Sequence, residues 1–135
     1  MEFAQVRLAV DDFIVMFRFY RDVIGLAPQV DDERGPYAKF SWPGGGSALA
    51  LQLRSHVAAT IGEAYAAGHG GVLLAIRVVD VDTVANELRK RGATLLGAPR
   101  DAWGMRVAHV VDPEGHVIEL QTWPSTTSSA GGASR

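Results

Sequence analysis

Residues 8–26 read LAVDDFIVMFRFYRDVIGL, and residues 74–92 read LAIRVVDVDTVANELRKRG, which places the same elements in the same order. Each stretch begins with alternating apolar residues, which predict a strand, and continues after an aspartate into apolar residues at helical spacing. Asp12 and either Asp80 or Asp82 are predicted to cap the two helices, because a carboxylate there accepts backbone N–H groups. Two copies of one strand–helix unit are therefore predicted.

Other residues repeat at nearly the same interval. Identical residues recur 67–70 positions apart in four pairs: Gly25 and Gly92, Pro43 and Pro113, Leu51 and Leu120, Gln52 and Gln121. Gly25 and Gly92 are placed to end the helices in a left-handed conformation. Three strands are predicted after each helix, with these bounds: 27–33, 37–42 and 47–54; then 93–97, 105–111 and 116–122. The fold class is therefore α+β, built from two βαβββ modules.

Composition excludes several classes of protein. The chain has 135 residues, 47% of them hydrophobic, no cysteine and a net charge of −2. Thiolate metal sites and disulfides are excluded, and this charge is not typical of nucleic-acid binding. We expect neither a signal peptide nor a membrane helix, since no apolar run approaches the ~18 residues that a membrane helix needs. A cytoplasmic protein is expected.

We expect a single domain over residues 1–124, with module one at about 3–56 and module two at about 71–123. Residues 55–70 are rich in alanine and glycine and predict either a short helix or a crossover. The tail at 125–135 is polar and of low complexity, and it is predicted to be disordered.

Two stretches resemble a known family. LAVDDFIVMFRFYRDVIGL resembles the opening strand and helix of the vicinal oxygen chelate superfamily, and VDPEGHVIEL, residues 111–120, resembles its closing hairpin. This superfamily contains the glyoxalases, bleomycin resistance proteins and extradiol dioxygenases. The resemblance covers residues 4–123. It implies that the two modules form a cupped mixed sheet around a pocket and that the protein is a homodimer.

The resemblance also implies one divalent metal held by four side chains. The matching positions here are Gln5, Ala50, Leu73 and Glu119. Ala50 and Leu73 carry no donor atom, whereas a catalytic divalent site normally has at least three protein ligands. We therefore expect no metal and no other cofactor, although a divalent metal remains the alternative.

The predicted ligand site uses residues that alternate along the strands. Arg7 and Arg77 follow Gln5 and Leu73 on the same strand faces, and arginines favour planar anions. Glu119 is a possible general base, but we expect it to pair with one of these arginines. The predicted ligand-binding residues are Gln5, Arg7, Arg77, Gln121 and Trp103, the last in a lid-like loop, GAPRDAWGM, at residues 97–105.

The four histidines are predicted to have structural roles. His56 and His69 lie between the modules, and His116 lies in the turn of the closing hairpin. His109 lies in a strand whose orientation the sequence leaves open. Trp42 and Trp123 fit core or dimer packing at least as well as ligand stacking.

Three functions remain open at this point. The preferred one is a metal-free protein of the bleomycin-resistance type that binds a small anionic or aromatic compound. The second is a glyoxalase-like lyase, an epimerase or a dioxygenase that uses a divalent metal or Glu119 as a base. The third is a non-catalytic accessory or regulatory module.

Overall fold

The structure is a computed structural model that describes residues 5–45, 48–63, 72–102 and 104–124. The chain divides into two compact units. The first unit comprises Met1–Val72 together with Asp112–His116, and the second comprises Leu73–Val111 together with Val117–Arg135. No helix among the described residues is long and apolar enough to cross a membrane.

The first unit contains a four-stranded mixed sheet. Its elements are β1 (Gln5–Val10), α1 (Phe13–Arg18), a π-helical segment (Phe19–Ile24), β2 (Ala27–Pro28), β3 (Tyr37–Ser41), β4 (Ala48–Leu53) and α2 (Arg54–Ile61). The strand order is β1-β4-β3-β2, and β1 runs parallel to β4 while the other pairs are antiparallel. Alternate strand residues are buried together with one side of α1, and they form the core: Leu8, Val10, Phe13, Met16, Phe17, Phe40, Leu49 and Leu51.

The second unit repeats this arrangement. Its elements are β5 (Leu73–Arg77), α3 (Val81–Lys90), β6 (Thr94–Leu95), β7 (Arg100–Ala102), β8 (Met105–Val111) and β9 (Val117–Thr122). The strand order is β5-β9-β8-β6, β5 is parallel to β9, and β7 pairs with the outer part of β8. Helix α3 packs on β8 and β9, and this core comprises Val81, Ala85, Leu88, Ala108, Val110, Ile118 and Leu120. The α+β class and the repeated strand–helix order are confirmed.

Both predicted helix starts are confirmed. Asp12 and Asp80 accept the backbone N–H groups of Val15 and Thr83, each at 3.2 Å, so Asp80 rather than Asp82 caps α3. Gly25 adopts φ of 90°, as predicted for a residue that ends a helix. The first helix differs from the prediction in its second half, because residues 19–24 form wider π-helical turns rather than α-helix.

The first strand after each helix is shorter than predicted. These strands comprise only Ala27–Pro28 and Thr94–Leu95, because side-chain alternation alone does not show where backbone pairing stops. The loop at 97–105 was predicted to be a lid, yet Arg100–Ala102 pairs antiparallel with β8 as β7. The segment after β4 contains helix α2, while residues 64–71 lie outside the described part of the chain.

A buried aspartate organises the turn between β8 and β9, which belongs to the first unit. Asp112 is 3% exposed and accepts hydrogen bonds from the Tyr20 hydroxyl and from Nδ1 of His116, both at 2.7 Å. Its other oxygen accepts the backbone N–H groups of Glu114 and His116, both at 2.9 Å. The Glu114 carboxylate accepts the N–H groups of Asp11 and Asp12 at the start of α1. The predicted turn role of His116 is confirmed.

Candidate functional site

Each sheet has a polar side opposite its apolar core, since neighbouring strand residues point to opposite faces. The first polar face consists of Gln5, Arg7, Tyr37 and Gln52. Register places Arg7 opposite Ala50, and Tyr37 opposite Gln52. The predicted pair Gln5 and Arg7 therefore lies on one face of β1.

Hydrogen bonds connect the residues of the first polar face. The Tyr37 hydroxyl donates to Oε1 of Gln5 at 2.9 Å, and the guanidinium of Arg7 lies 5.5 Å from the centre of the Tyr37 ring. Arg7 also donates to Oε1 of Gln52 at 3.1 Å. Gln52 is 7% exposed, and its amide nitrogen is 2.6 Å from Nδ1 of His56 on α2. These contacts satisfy a buried amide and leave Arg7 exposed at the surface of the sheet.

The second polar face consists of Ala75, Arg77, His109, Glu119, Gln121 and Trp123. Register places Ala75 and His109 on either side of Glu119, and Arg77 directly beside Gln121. Residues 119, 121 and 123 are spaced two apart and so share this side of β9. Ile118 and Leu120, which alternate with them, are buried in the core.

Glu119 is held by two neighbours on the second polar face. Its Oε2 lies 2.8 Å from Nε2 of His109, and its Oε1 accepts a hydrogen bond from Nε2 of Gln121 at 2.8 Å. The side chains of His109 and Glu119 are 15% and 13% exposed. The Gln121 amide, followed by His109 and the charge of Arg100, holds the pKa of the Glu119 carboxyl below its usual value despite partial burial. Glu119 is therefore an ionised carboxylate at neutral pH.

Trp123 supplies a flat surface beside this carboxylate. The guanidinium carbon of Arg77 lies 3.5 Å from the centre of the indole ring, a close cation–π contact. The indole Nε1–H donates to Oε1 of Gln121 at 2.9 Å. Trp123 is thus part of the polar face and is not a core residue, in contrast to the packing role that its sequence position allowed.

One expectation about this region needs correction. Glu119 was predicted to pair with an arginine of the site, but its close partners are His109 and Gln121. Arg77, the arginine on its own sheet, stacks on Trp123. Strand alternation by itself left the face of His109 open. In a hairpin, however, residues at equal distances from the turn lie opposite each other, and this count pairs His109 with Glu119 across the turn at 112–116. The sequence therefore contained enough information to place His109 beside Glu119.

The residues at the family's four metal positions do not fit a divalent metal. Ala50 and Leu73 have no donor atoms, Oε1 of Gln5 accepts a hydrogen bond from Tyr37, and both oxygens of Glu119 accept hydrogen bonds. A metal bound by one amide oxygen and one carboxylate falls short of the usual ligand number. Within the described residues, no group of three or more histidines and carboxylates could hold a metal ion.

Two of the sequence-selected residues cannot be placed. Trp103, predicted to bind ligand, and His69 both lie outside the residues that the structure describes. The other predicted ligand-binding residues fall on the two polar faces, Gln5 and Arg7 on the first and Arg77 and Gln121 on the second. Sequence reasoning missed His109 and Trp123 as members of the second polar face.

Two mixed sheets with this strand order, each with one helix-covered side and one polar side, define a tandem βαβββ protein. The chain belongs to the glyoxalase/bleomycin resistance protein/dioxygenase superfamily, whose family model matches residues 2–120. The predicted resemblance is therefore confirmed.

Individual relatives agree with this assignment. The chain is 32% identical over 126 residues to the uncharacterised protein YraH of Bacillus subtilis strain 168, which covers 89% of this chain and 97% of YraH. A glyoxalase/bleomycin resistance protein/dioxygenase from Nocardioides superposes with a TM-score of 0.77 at 23% identity, covering 99% of this chain and 90% of that one. TnmS3, an antibiotic binding protein from Streptomyces sp. CB03234, gives a TM-score of 0.70 at 23% identity, covering 92% and 98%. At such identity the two solved structures show the shared fold alone.

Proposed function

We propose that this chain is a metal-free member of its superfamily that binds a small anionic or aromatic compound, as the bleomycin-resistance type does. The contact between Arg77 and Trp123 carries the proposal. A guanidinium already stacked on an indole offers a planar, charged surface to an incoming ligand. The solved structure of TnmS3, which is named as an antibiotic binding protein, is a precedent for binding on this fold.

The surroundings of Arg77 fit a ligand with a flat apolar body. Leu73 is 50% exposed and Ala75 is exposed on the same side of β5, so apolar surface lies beside the charged group. A few polar anchors within apolar surface are typical of small-molecule sites. On the first polar face, Arg7 and Gln5 are proposed to supply further polar contacts to a ligand.

The enzymatic alternatives find less support. Glu119 is a weak general base, because hydrogen bonds from Gln121 and His109, together with the charge of Arg100, lower its pKa and so stabilise the charged form. Metal-dependent chemistry lacks donors at Ala50 and Leu73. We also propose, from the family alone, that the protein is a cytoplasmic homodimer. Light scattering on the purified protein would reveal a monomer if the dimer is wrong.

The binding proposal is tested with ligand titrations on variants of the two arginines. A thermal-shift screen of planar aromatic acids and antibiotics identifies ligands, since a ligand that binds the folded state raises its melting temperature. Arg77→Ala and Arg7→Ala should each weaken binding about tenfold, the expected loss for one charge-assisted contact. Arg89→Ala on α3 is the matched control and should keep wild-type affinity. Unchanged affinity in both test variants would refute the proposal.

The absence of a metal is tested separately. We expect less than stoichiometric nickel, zinc, iron or manganese in protein purified without chelators, on the grounds of ligand number. Near-equimolar metal that survives dialysis and is lost in Glu119→Ala would replace the proposal with a metal-dependent one. Elemental analysis of both proteins provides the measurement.

A further inference from the structure

Four side chains on the second polar face form a hydrogen-bonded chain in which Glu119 accepts from both sides. It starts at Trp123, because an indole Nε1–H can donate but cannot accept. Its partner at 2.9 Å must therefore be the oxygen of the Gln121 amide, which turns the amide nitrogen towards Glu119. The indole N–H of Trp123 thus determines which end of the Gln121 amide faces Glu119.

The other half of the chain runs from His109 to Glu119. The Gln121 amide donates to Oε1 of Glu119, and an ionised carboxylate can only accept. Oε2 of Glu119 must then accept a proton from Nε2 of His109, 2.8 Å away. A neutral imidazole carries one N–H, so Nδ1 of His109 is left as a hydrogen-bond acceptor.

Nδ1 of His109 is available to a ligand as far as the described chain shows. No hydrogen bond joins it to any residue in the described ranges, although the side chain is only 15% exposed. Buried polar atoms normally have a partner. Register also places the small, exposed side chain of Ala75 across β9 from His109, next to Glu119.

We propose that Nδ1 of His109 accepts a hydrogen bond from the ligand, and that the second polar face therefore selects aromatic compounds that carry a neutral donor such as a ring hydroxyl. This inference rests on the proposed binding function and narrows its ligand class. A carboxylate has no proton for Nδ1, and an aryl ether has none either, whereas a ring hydroxyl does. Arg77 and the exposed side chains of Leu73 and Ala75 contact the flat body of the ligand.

Glu119 acts in this scheme as the positioning residue, since its carboxylate can only accept and therefore selects the Nε2–H tautomer of His109. Glu119→Gln is the informative variant, because an amide can donate as well as accept and no longer fixes that tautomer. Trp123→Phe keeps an aromatic surface under Arg77 and leaves the Glu119 carboxylate in place. His109→Phe removes the acceptor itself. Arg89→Ala again provides a control that leaves the second polar face unchanged.

The first test compares two ligands that differ in one proton, 2-naphthol and 2-methoxynaphthalene. Wild-type protein should bind the naphthol about tenfold more tightly, the usual value of one hydrogen bond made by a partly buried acceptor. His109→Phe should abolish that preference, Glu119→Gln should reduce it, and Arg89→Ala should retain it. Equal affinity of wild type for both compounds overturns this inference alone, whereas no affinity for any planar aromatic overturns the binding function as well.

The second test reads the tautomer without a ligand. Nitrogen-15 spectra of the histidine rings at about pH 8, where an ordinary imidazole is neutral, should show His109 with its proton on Nε2. Glu119→Gln should shift His109 towards a mixture of tautomers, whereas Trp123→Phe and Gln121→Ala, which leave the carboxylate in place, should not. A wild-type ring protonated on Nδ1 would contradict the proposal. Chemical unfolding of each variant verifies that it is folded.

Discussion

Equivalent positions in the two sheets carry opposite chemistry. Where the first sheet pairs Arg7 with Ala50, the second pairs Ala75 with Glu119, so a cation on one strand is replaced by a carboxylate on its neighbour. The matched glutamines differ accordingly. Gln52 accepts from Arg7 through its oxygen, and Gln121 donates to Glu119 through its nitrogen. The repeat thus preserves the backbone positions, whereas the charged residues at these positions differ between the two sheets.

The two hairpin turns also differ. The turn after β3 is closed by a backbone bond from Gly45 to Trp42 at 3.0 Å. The turn after β8 contains Asp112, whose carboxylate accepts four hydrogen bonds. Burial alone would raise the pKa of Asp112, but hydrogen bonds from His116 and Tyr20 outweigh burial and hold it below its usual value. Side-chain hydrogen bonds to a buried carboxylate therefore hold the second turn in addition to its backbone bonds.

The largest expected effect comes from Asp112→Ala, which removes the buried carboxylate that distinguishes the second turn from the first. It leaves the buried Tyr20 hydroxyl and the His116 ring without their acceptor, so the free energy of unfolding should fall by about 3–5 kcal/mol. Urea denaturation measures the change. Asp101→Ala, whose carboxylate is 84% exposed, is the control and should change stability by less than about 0.5 kcal/mol. Equal losses in both variants would show that Asp112 is not an anchor.

A smaller effect is expected from pH. The hydrogen bond to Asp112 raises the pKa of His116, with the charges of Asp112 and Glu114 adding to it and burial and Arg54 opposing it. Because the folded pKa exceeds the unfolded one, this stability is present below about pH 6.5 and is lost as the pH rises through the folded value.

Unfolding measured from about pH 6 to pH 9 should reveal this loss, about 1.5 kcal/mol, the lower range for a hydrogen bond to a charged group. His116→Gln should have a flatter profile over that interval. At acid pH the sign reverses, since the lowered pKa of Asp112 makes the fold less stable as that carboxylate is protonated. If His116→Gln showed the same pH dependence of unfolding as the wild type, His116 would not be the cause of the loss in stability.

The smallest effect should follow from Ala75→Arg, which transfers the arginine of the first sheet to the matching position in the second. The new guanidinium lies across from Glu119, and a cross-strand pair of opposite charges stabilises by about 0.2–1 kcal/mol. High salt should weaken the gain, because the position is exposed. Ala75→Met controls for added length. A similar gain for methionine would attribute the effect to apolar contact.

Local patterns predicted the framework well, and part of the site with it. Asp12 and Asp80 begin the helices as predicted, since a cap depends on neighbours within three residues. The strand faces of Gln5, Arg7 and Arg77 followed from alternation, which is also local. Strand β7 was missed because Arg100–Ala102 has no apolar alternation and forms only by pairing with β8.

The sequence by itself determined the repeat, the superfamily and the loss of metal donors at Ala50 and Leu73, because these depend on residue identity and spacing. Only the tertiary structure decided which partner each charged group takes. Glu119 contacts His109 rather than an arginine, and Arg77 lies on Trp123, because strand register and side-chain reach bring those groups together. Spacing along a chain places a side chain on a face, but the choice among partners on that face depends on distances that exist only once the sheet has formed.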